Sequence, residues 1–365
     1  MRSDKGWKKI NIATVILFVV TLLLQLLSRN VVGFAQIYSV TVYRFLMETM
    51  GRVVSLVPFS IVEMLLYLLI LSVLAGLLVL IYKVAKRQWR LVPSVGRSIQ
   101  VLLFTVAVLL CSYTIGCGIN YHRTAFSVEA GFVIEKSTRE ELIDLCEYLA
   151  ERVNEAAQQI PTDENGCLQL SGDVHATARA AMAALGQQYE QLDGFYPNPK
   201  GVTVSRILSM QKLEGVYSPF TLEANYNREM PDISIPVAIC HELSHLRGYM
   251  REDEANFIAY LACLESGDPQ FVYSASVLAF IHSANALYRD GAIEDYSRIY
   301  YMLCESVRKD MSADSAFWKQ FDGKVAEVSN KVNDTYLKVN KQEDGVKSYG
   351  RMVDLLLAQH RERRQ

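Results

Sequence analysis

Three long apolar runs occupy the first third of the chain, and a mixed pattern with helical spacing fills the rest. Ile10 to Leu27, Met64 to Tyr82 and Ile99 to Gly118 contain no Asp, Glu, Lys, Arg or His. A helix needs about 20 apolar residues to cross the hydrocarbon core of a bilayer. Transmembrane helices are therefore predicted at residues 10–27, 61–82 and 99–118. Glu63, at the head of the second, is expected at the interface rather than in a relay inside the membrane. A secretory signal peptide is the competing reading of the first run, with Gly33-Phe34-Ala35 resembling a cleavage site; the run is long for one, and further spans follow. Residues 30–58 carry Phe34, Tyr38, Tyr43, Phe45 and Leu46 at mixed spacing. That leaves open an amphipathic helix along the membrane surface or an ordered linker packed on the spans.

From Asn120 the pattern is that of a water-exposed domain. Thr138-x-x-Glu141 (or Ser137-x-x-Glu140) reads as a capping box, followed by a helical stripe of Leu142, Leu145, Cys146, Leu149 and Val153 up to Pro161. A second helix is predicted from Asp173 to about Leu192 and a loop from Gly194 to Gly201, while Val202 to Met210 fits strand or helix. Phe220, Leu222, Ala224 and Tyr226 alternate with Thr221, Glu223 and Asn225, which predicts a half-buried strand. Helical patterns return over Phe271 to Tyr288, Asp295 to Lys309 and Ser312 to Val339, and the charged residues from His360 to Gln365 are expected to fray. The fold class is thus an α-helical membrane anchor of three transmembrane helices (residues 1–118) followed by a mostly helical α+β domain with a small sheet (residues 119–365).

Charge placement orients this arrangement. Arg2, Lys5, Lys8 and Lys9 precede the first span, and Lys83, Lys86, Arg87, Arg90 and Arg97 lie between the second and third, against Arg29, Arg44 and Arg52 in the first loop. Basic loops stay in the cytoplasm, so the N-terminus is expected inside a cell membrane and the C-terminal domain outside. A net charge of -2 with no basic run gives no reason to invoke nucleic acid. The seven cysteines include no C-x-x-C pair, which disfavours a cysteine metal site and leaves room for one or two bridges.

The chemistry is concentrated between Cys240 and Cys263. His241 and His245 are four apart, so on a helix their rings share one face and can reach one metal ion. Glu242 sits beside that face, where a carboxylate can take a proton from a water activated by the metal. Ile239, Leu243 and Leu246 pack the other side, and Gly248 is placed to end the helix in a left-handed conformation. A second helical pattern begins near Arg251, with Glu252, Ala255, Asn256 and Ala259 on one face.

His241-Glu242-x-x-His245 followed by Glu252-x-x-Ala255-Asn256 resembles the gluzincin arrangement of thermolysin-like and membrane-bound CAAX-type metallopeptidases. The resemblance implies a zincin-like domain binding a zinc ion (Zn2+) through His241, His245 and Glu252, with Glu242 as general base. Asn256 then stands where those families have an aspartate that bonds a ligand histidine, and Glu254 is the competing third ligand. More of the chain is similar to an uncharacterised bacterial membrane-protein family, a domain of unknown function suspected of metallopeptidase activity. That likeness rests on the three apolar spans, the P-F-T-x-E-A-N-x-N strand (Pro219 to Asn227), the histidine block and the tract from Asp334 to Leu357.

Zincins set an edge strand before the metal helix to pair with an extended substrate. By that likeness the strand bearing Thr221, Glu223 and Asn225 would receive peptide, unless its edge is covered. His282 is a candidate oxyanion stabiliser, or a packed helical histidine, and Tyr336, Tyr349 and Arg351 are polar groups able to reach a cleft. The function that follows is hydrolysis of extracytoplasmic or membrane-associated peptides by a zinc-activated water. The alternatives are a zinc- and peptide-binding envelope sensor or scaffold without turnover, and a transport or assembly subunit. Partners would be a peptide or protein substrate and the lipid bilayer; oligomeric state is not written in the residues.

Overall fold

The computed structural model describes residues 2–87, 95–340 and 351–364. Arg90 of the basic loop, and the tract residues 341–350 with Tyr349, lie outside the described residues. The described chain is mostly helical. Helix α1 (Arg2–Asn30) leads through the short α2 (Phe34–Tyr38) and a π-helical turn (Ser39–Tyr43) into α3 (Arg44–Ser55). Helices α4 (Ile61–Ala85) and α5 (Val95–Tyr113) follow, with a π-helical extension at Thr114–Gly118.

By length and hydropathy, four described helical segments are able to cross a membrane: Gly6–Asn30, Ile61–Ala85, Val95–His122 and Pro269–Arg289. The fourth was not among the predicted spans, and its setting differs from theirs. Its window is 61% buried within the protein, against 6% and 0% for the first two. It is α12 (Pro269–Arg289), whose Phe271, Tyr273, Val277, Phe280 and Leu287 fill the core of the C-terminal domain. Helices α1 and α4 instead present Val15, Leu23, Leu69 and Leu74 outward, surfaces that water would penalise at about 25 cal/mol per Å2.

The short α6 (Phe126–Ala130) opens the rest of the chain. Helix α7 (Arg139–Ala157) starts at the predicted capping box, with both reciprocal bonds between Thr138 and Glu141 formed. Helix α8 (Val174–Gln188) is capped by Asp173 and stops before the predicted Leu192, because at Gly186 the backbone of Leu192 and Asp193 folds back so closely that a Cβ would lie 2.9 Å from Asp193 Cα. The ambiguous Val202 to Met210 contains a short helix, α9 (Arg206–Met210). Helices α10 (Ile235–His245), α11 (Glu252–Glu265) and α12 form the centre, and α7 and α8 pack around them. The predicted later helices are broken differently, into α13 (Ile293–Met302), α14 (Glu305–Lys319) and α15 (Lys324–Val339). Cys304 N leaves the helical ladder to donate to Asn154 Oδ1 at 2.8 Å, and Gly323 turns at φ 154°.

Helix α16 (Arg351–Arg364) buries Met352, Val353, Leu355 and Leu356 against α7, α11 and α12. Its charged end is pinned rather than frayed, since Arg361 donates two bonds of 2.8 Å to Glu141 and His360 Nε2 lies 2.8 Å from Asp144 Oδ2. All seven cysteines are free thiols, so no bridge staples the domain.

Three short strands form one sheet, β1 (Lys200–Gly201), β2 (Gly215–Ser218) and β3 (Glu223–Tyr226), in the order β1-β3-β2. The predicted strand is shortened because Leu222 turns at φ 56°, and its residues are buried on both faces rather than alternately. Glu223 carries the junction to the apolar helices. Its carboxylate accepts from Lys200 Nζ at 2.7 Å and caps α4, taking the N–H groups of Ile61 (2.8 Å) and Val62 (2.9 Å). Glu63 answers in the opposite direction, accepting from Thr203 N and Val204 N at 2.9 Å. Lys200→Met leaves Glu223 buried without its cation and is expected to lower unfolding free energy by about 3–5 kcal/mol, measured by denaturant titration.

Candidate metal centre

Helix α10 starts with Pro236 in its first turn, where an amide N–H has no partner to lose. Ile239, Cys240, Leu243 and Leu246 are fully buried and hold it from behind. It ends as the sequence predicts, with Gly248 at φ 82°. A Cβ at Gly248 would approach Arg123 Nη1 to 3.2 Å, so close packing and backbone conformation both select glycine. The chain then reverses into α11, whose first turn faces the histidines.

The rings of His241 and His245 stand 4.8 Å apart. His241 Nδ1 lies 2.7 Å from Asn256 Oδ1, and His245 Nδ1 lies 2.7 Å from the Tyr249 carbonyl oxygen. Both partners accept, so each Nδ1 carries a proton as donor and each Nε2 is left for the centre. Glu252 closes the group, with Oε2 at 3.3 Å from His241 Nε2 and Oε1 at 4.0 Å from His245 Nε2. One ligand atom from each residue lies within 4.8 Å of the others, an arrangement able to hold a metal ion. Two imidazole nitrogens and a carboxylate oxygen suit a divalent transition ion.

Burial and mutual charge shift the groups around this point. Burial alone would lower His241, but the Glu252 carboxylate overrides it and raises the imidazole to about 9. His245 is pushed down to about 4 by burial and by the charge of His241. Burial raises the Glu242 carboxyl to about 8. Its Oε2 is buried with no hydrogen-bond partner. An unpaired buried carboxylate oxygen is costly, and an adjacent cation would supply what the protein leaves out. The Glu242 side chain is backed by β2, where a Cβ on Gly215 would come within 2.7 Å of Glu242 Cδ.

Other predicted site residues go elsewhere. Glu254 is placed away from the histidines: its Oε1 accepts from Phe126 N at 2.8 Å and pairs with Arg251 at 3.2 Å. Thr221, Glu223 and Asn225 do not form a substrate edge, because β3 is the middle strand of its sheet. Thr221 Oγ1 donates to Glu223 Oε2 at 2.6 Å, and Asn225 Nδ2 donates to Val216 O at 3.2 Å. His282 is lowered to about 4 by burial and then by Arg289 on its own helix. Tyr336 hydrogen-bonds Tyr121 Oη at 3.1 Å, and Arg351 faces Asp253 at 3.6 Å.

Several contributors had no signal in the sequence. Tyr217 packs its ring 5.9 Å from that of His245, and its hydroxyl lies 3.0 Å from Tyr43 Oη and donates to Gly116 O at 2.7 Å. Tyr43 Oη donates to His245 O at 3.1 Å. These residues are scattered over 200 positions of chain and meet only on folding. Gly215 follows the same rule, since an isolated glycine before a short strand does not announce the carboxylate behind it.

Residues 38–357 match the family described as "Protein of unknown function (DUF3810)", and the chain belongs to that family. No curated protein and no solved structure matches it.

Gly215→Ala forces Glu242 or β2 to move. It is expected to destabilise the fold by about 1–3 kcal/mol, read as a lowered thermal midpoint of the purified full chain.

Proposed function

We propose that this member of a family of unknown function is a membrane-anchored zinc metallopeptidase. The carrying observation is the convergence of His241 Nε2, His245 Nε2 and a Glu252 oxygen within 4.8 Å, beside the unpartnered Oε2 of Glu242. His241, His245 and Glu252 would hold the ion, and Asn256 and the Tyr249 carbonyl orient the two rings. When bound, zinc supplies Lewis acidity, polarising a scissile carbonyl and making water a stronger acid. Glu242 takes the proton of the attacking water and returns it to the leaving amine nitrogen. A neighbouring cation favours its ionised form against the burial that raises it. Substrate backbone is received at β2, an edge of the sheet, by strand addition. In this reading α1, α4 and α5 span the membrane, the N-terminus is cytoplasmic, and the centre works on peptides outside.

Asn256 favours a second reading, a zinc- and peptide-binding sensor without turnover. Its amide lacks the charge that would raise the basicity of the His241 ring.

The full chain in detergent is expected to bind one zinc per protein by elemental analysis, and His241→Ala to lose it. Asn256→Leu is expected to weaken zinc binding about 10–100-fold in competition with a chromophoric chelator. Incubated with a peptide library, the parent should give chelator-sensitive cleavage, and Glu242→Gln should keep its zinc and lose cleavage by about 100-fold or more. Zinc binding without cleavage by the parent selects the sensor; absence of zinc binding ends both readings.

A further inference from the structure

Residues 31–59, between α1 and α4, have one side locked to the domain and one side open. On the locked side Tyr43, Met47, Gly51 and Val54 are buried. Three bonds fix it there: Tyr43 Oη to His245 O at 3.1 Å, Phe195 N to Glu48 Oε1 at 2.8 Å, and Lys200 Nζ to Val54 O at 3.0 Å. On the open side of α3 and just beyond it stand Phe45, Met50, Val53 and Leu56, with Phe45 66% and Leu56 83% exposed. At 3.6 residues per turn these four fall within an arc of about 140°. Water-soluble surfaces rarely gather so many large apolar side chains in one patch.

What covers the patch is indicated by its continuity and its margins. In the chain, exposed Val31 and Val32 follow α1 and exposed Phe59 precedes α4, and both helices present apolar residues outward. The ionised residues of α3 lie along its border and turn toward the domain. Arg44 pairs with Asp193 at 3.1 Å, and Arg52 pairs with Glu48 at 3.1 Å and lies over the Phe195 ring at 4.4 Å. An apolar arc bordered by paired charges, leading directly into two apolar helices, is the build of a helix lying in the plane of a membrane interface.

We propose that residues 31–59 lie flat in the leaflet facing the domain, with Phe45, Val53 and Leu56 among the upper acyl chains. The partner of this surface is lipid. Because Tyr43 is bonded to the backbone of His245, the same collar holds α10 at a set height above the headgroups. The metal centre would then meet polypeptide at the membrane surface, such as the segments flanking a membrane anchor. The inference rests on α1 and α4 being spans, and it does not depend on whether the centre binds zinc.

The test uses the full chain in lipid nanodiscs, in a Trp7→Phe/Trp89→Phe/Trp318→Phe background, with one added tryptophan at a time. Phe45→Trp and Leu56→Trp are the probes, two positions so that one misfolded variant does not decide the matter. Leu71→Trp, in α4, reports the span, and Tyr301→Trp, 74% exposed on α13, reports the solvent-facing domain. Lipids brominated near the headgroup should remove roughly half or more of the added emission at Phe45→Trp and Leu56→Trp and leave Tyr301→Trp unchanged. Emission at the two probes that is indifferent to bromine and quenched by aqueous acrylamide overturns the proposal. Emission that is blue-shifted yet indifferent to both overturns it too, since a protein surface, such as a second copy, would then cover the patch. If Leu71→Trp is also indifferent to brominated lipid at any depth, the spans themselves fail.

Discussion

Taking a carboxylate out of water costs several kcal/mol unless hydrogen bonds or a cation replace its hydration. The chain buries a series of them and answers each from a different part of the sequence. Glu223 is met by Lys200 and by the first amides of α4, Glu63 by the backbone after β1, and Glu254 by α6 and Arg251. Glu252 is met by two imidazoles. Among these, Glu242 Oε2 is the buried oxygen without a hydrogen-bond partner.

The partnered acids also explain why the apolar helices and the domain behave as one structure. Glu223 accepts from the first amides of α4 and Glu63 from the amides just after β1, tying the head of α4 to the sheet that lies behind the centre. Tyr217 links the same sheet to the end of α5 through Gly116, and Tyr43 links the α1–α4 connection to α10. The centre is therefore supported by elements that arrive from the apolar part of the chain as well as by its own two helices. A centre supported in this way would feel any displacement of those helices through hydrogen bonds to its own backbone.

Much of the centre was legible because its parts are local. The spacing of His241 and His245, the stop at Gly248 and the restart at Arg251 fall within a dozen residues, where helical geometry relates sequence distance to direction. The same geometry says that Glu252 and Glu254 point to different sides of their helix, while the preference for Glu252 came from the resemblance. The strand was misread because alternation reports which side chains differ in polarity, and not which neighbours cover them. Glu223 and Asn225 look solvent-facing by pattern, yet both are buried, Glu223 by Lys200 and the head of α4 and Asn225 against the backbone of β2. Helix α12 has the length and hydropathy of a span, yet most of its apolar window is buried within the protein.

Sequence alone determined what periodicity and covalent order can encode: the long apolar helices, the capping box of α7, and a histidine pair followed by a carboxylate on the next helix. Tertiary structure decided what depends on contacts between distant segments. It made β3 a middle strand, turned Glu254 to the α6 backbone, set Asn256 and the Tyr249 carbonyl behind the imidazoles, and left one face of α3 bare. The division has a physical cause: a helix fixes the directions of its own side chains, whereas burial and charge compensation are fixed only when other elements pack against it.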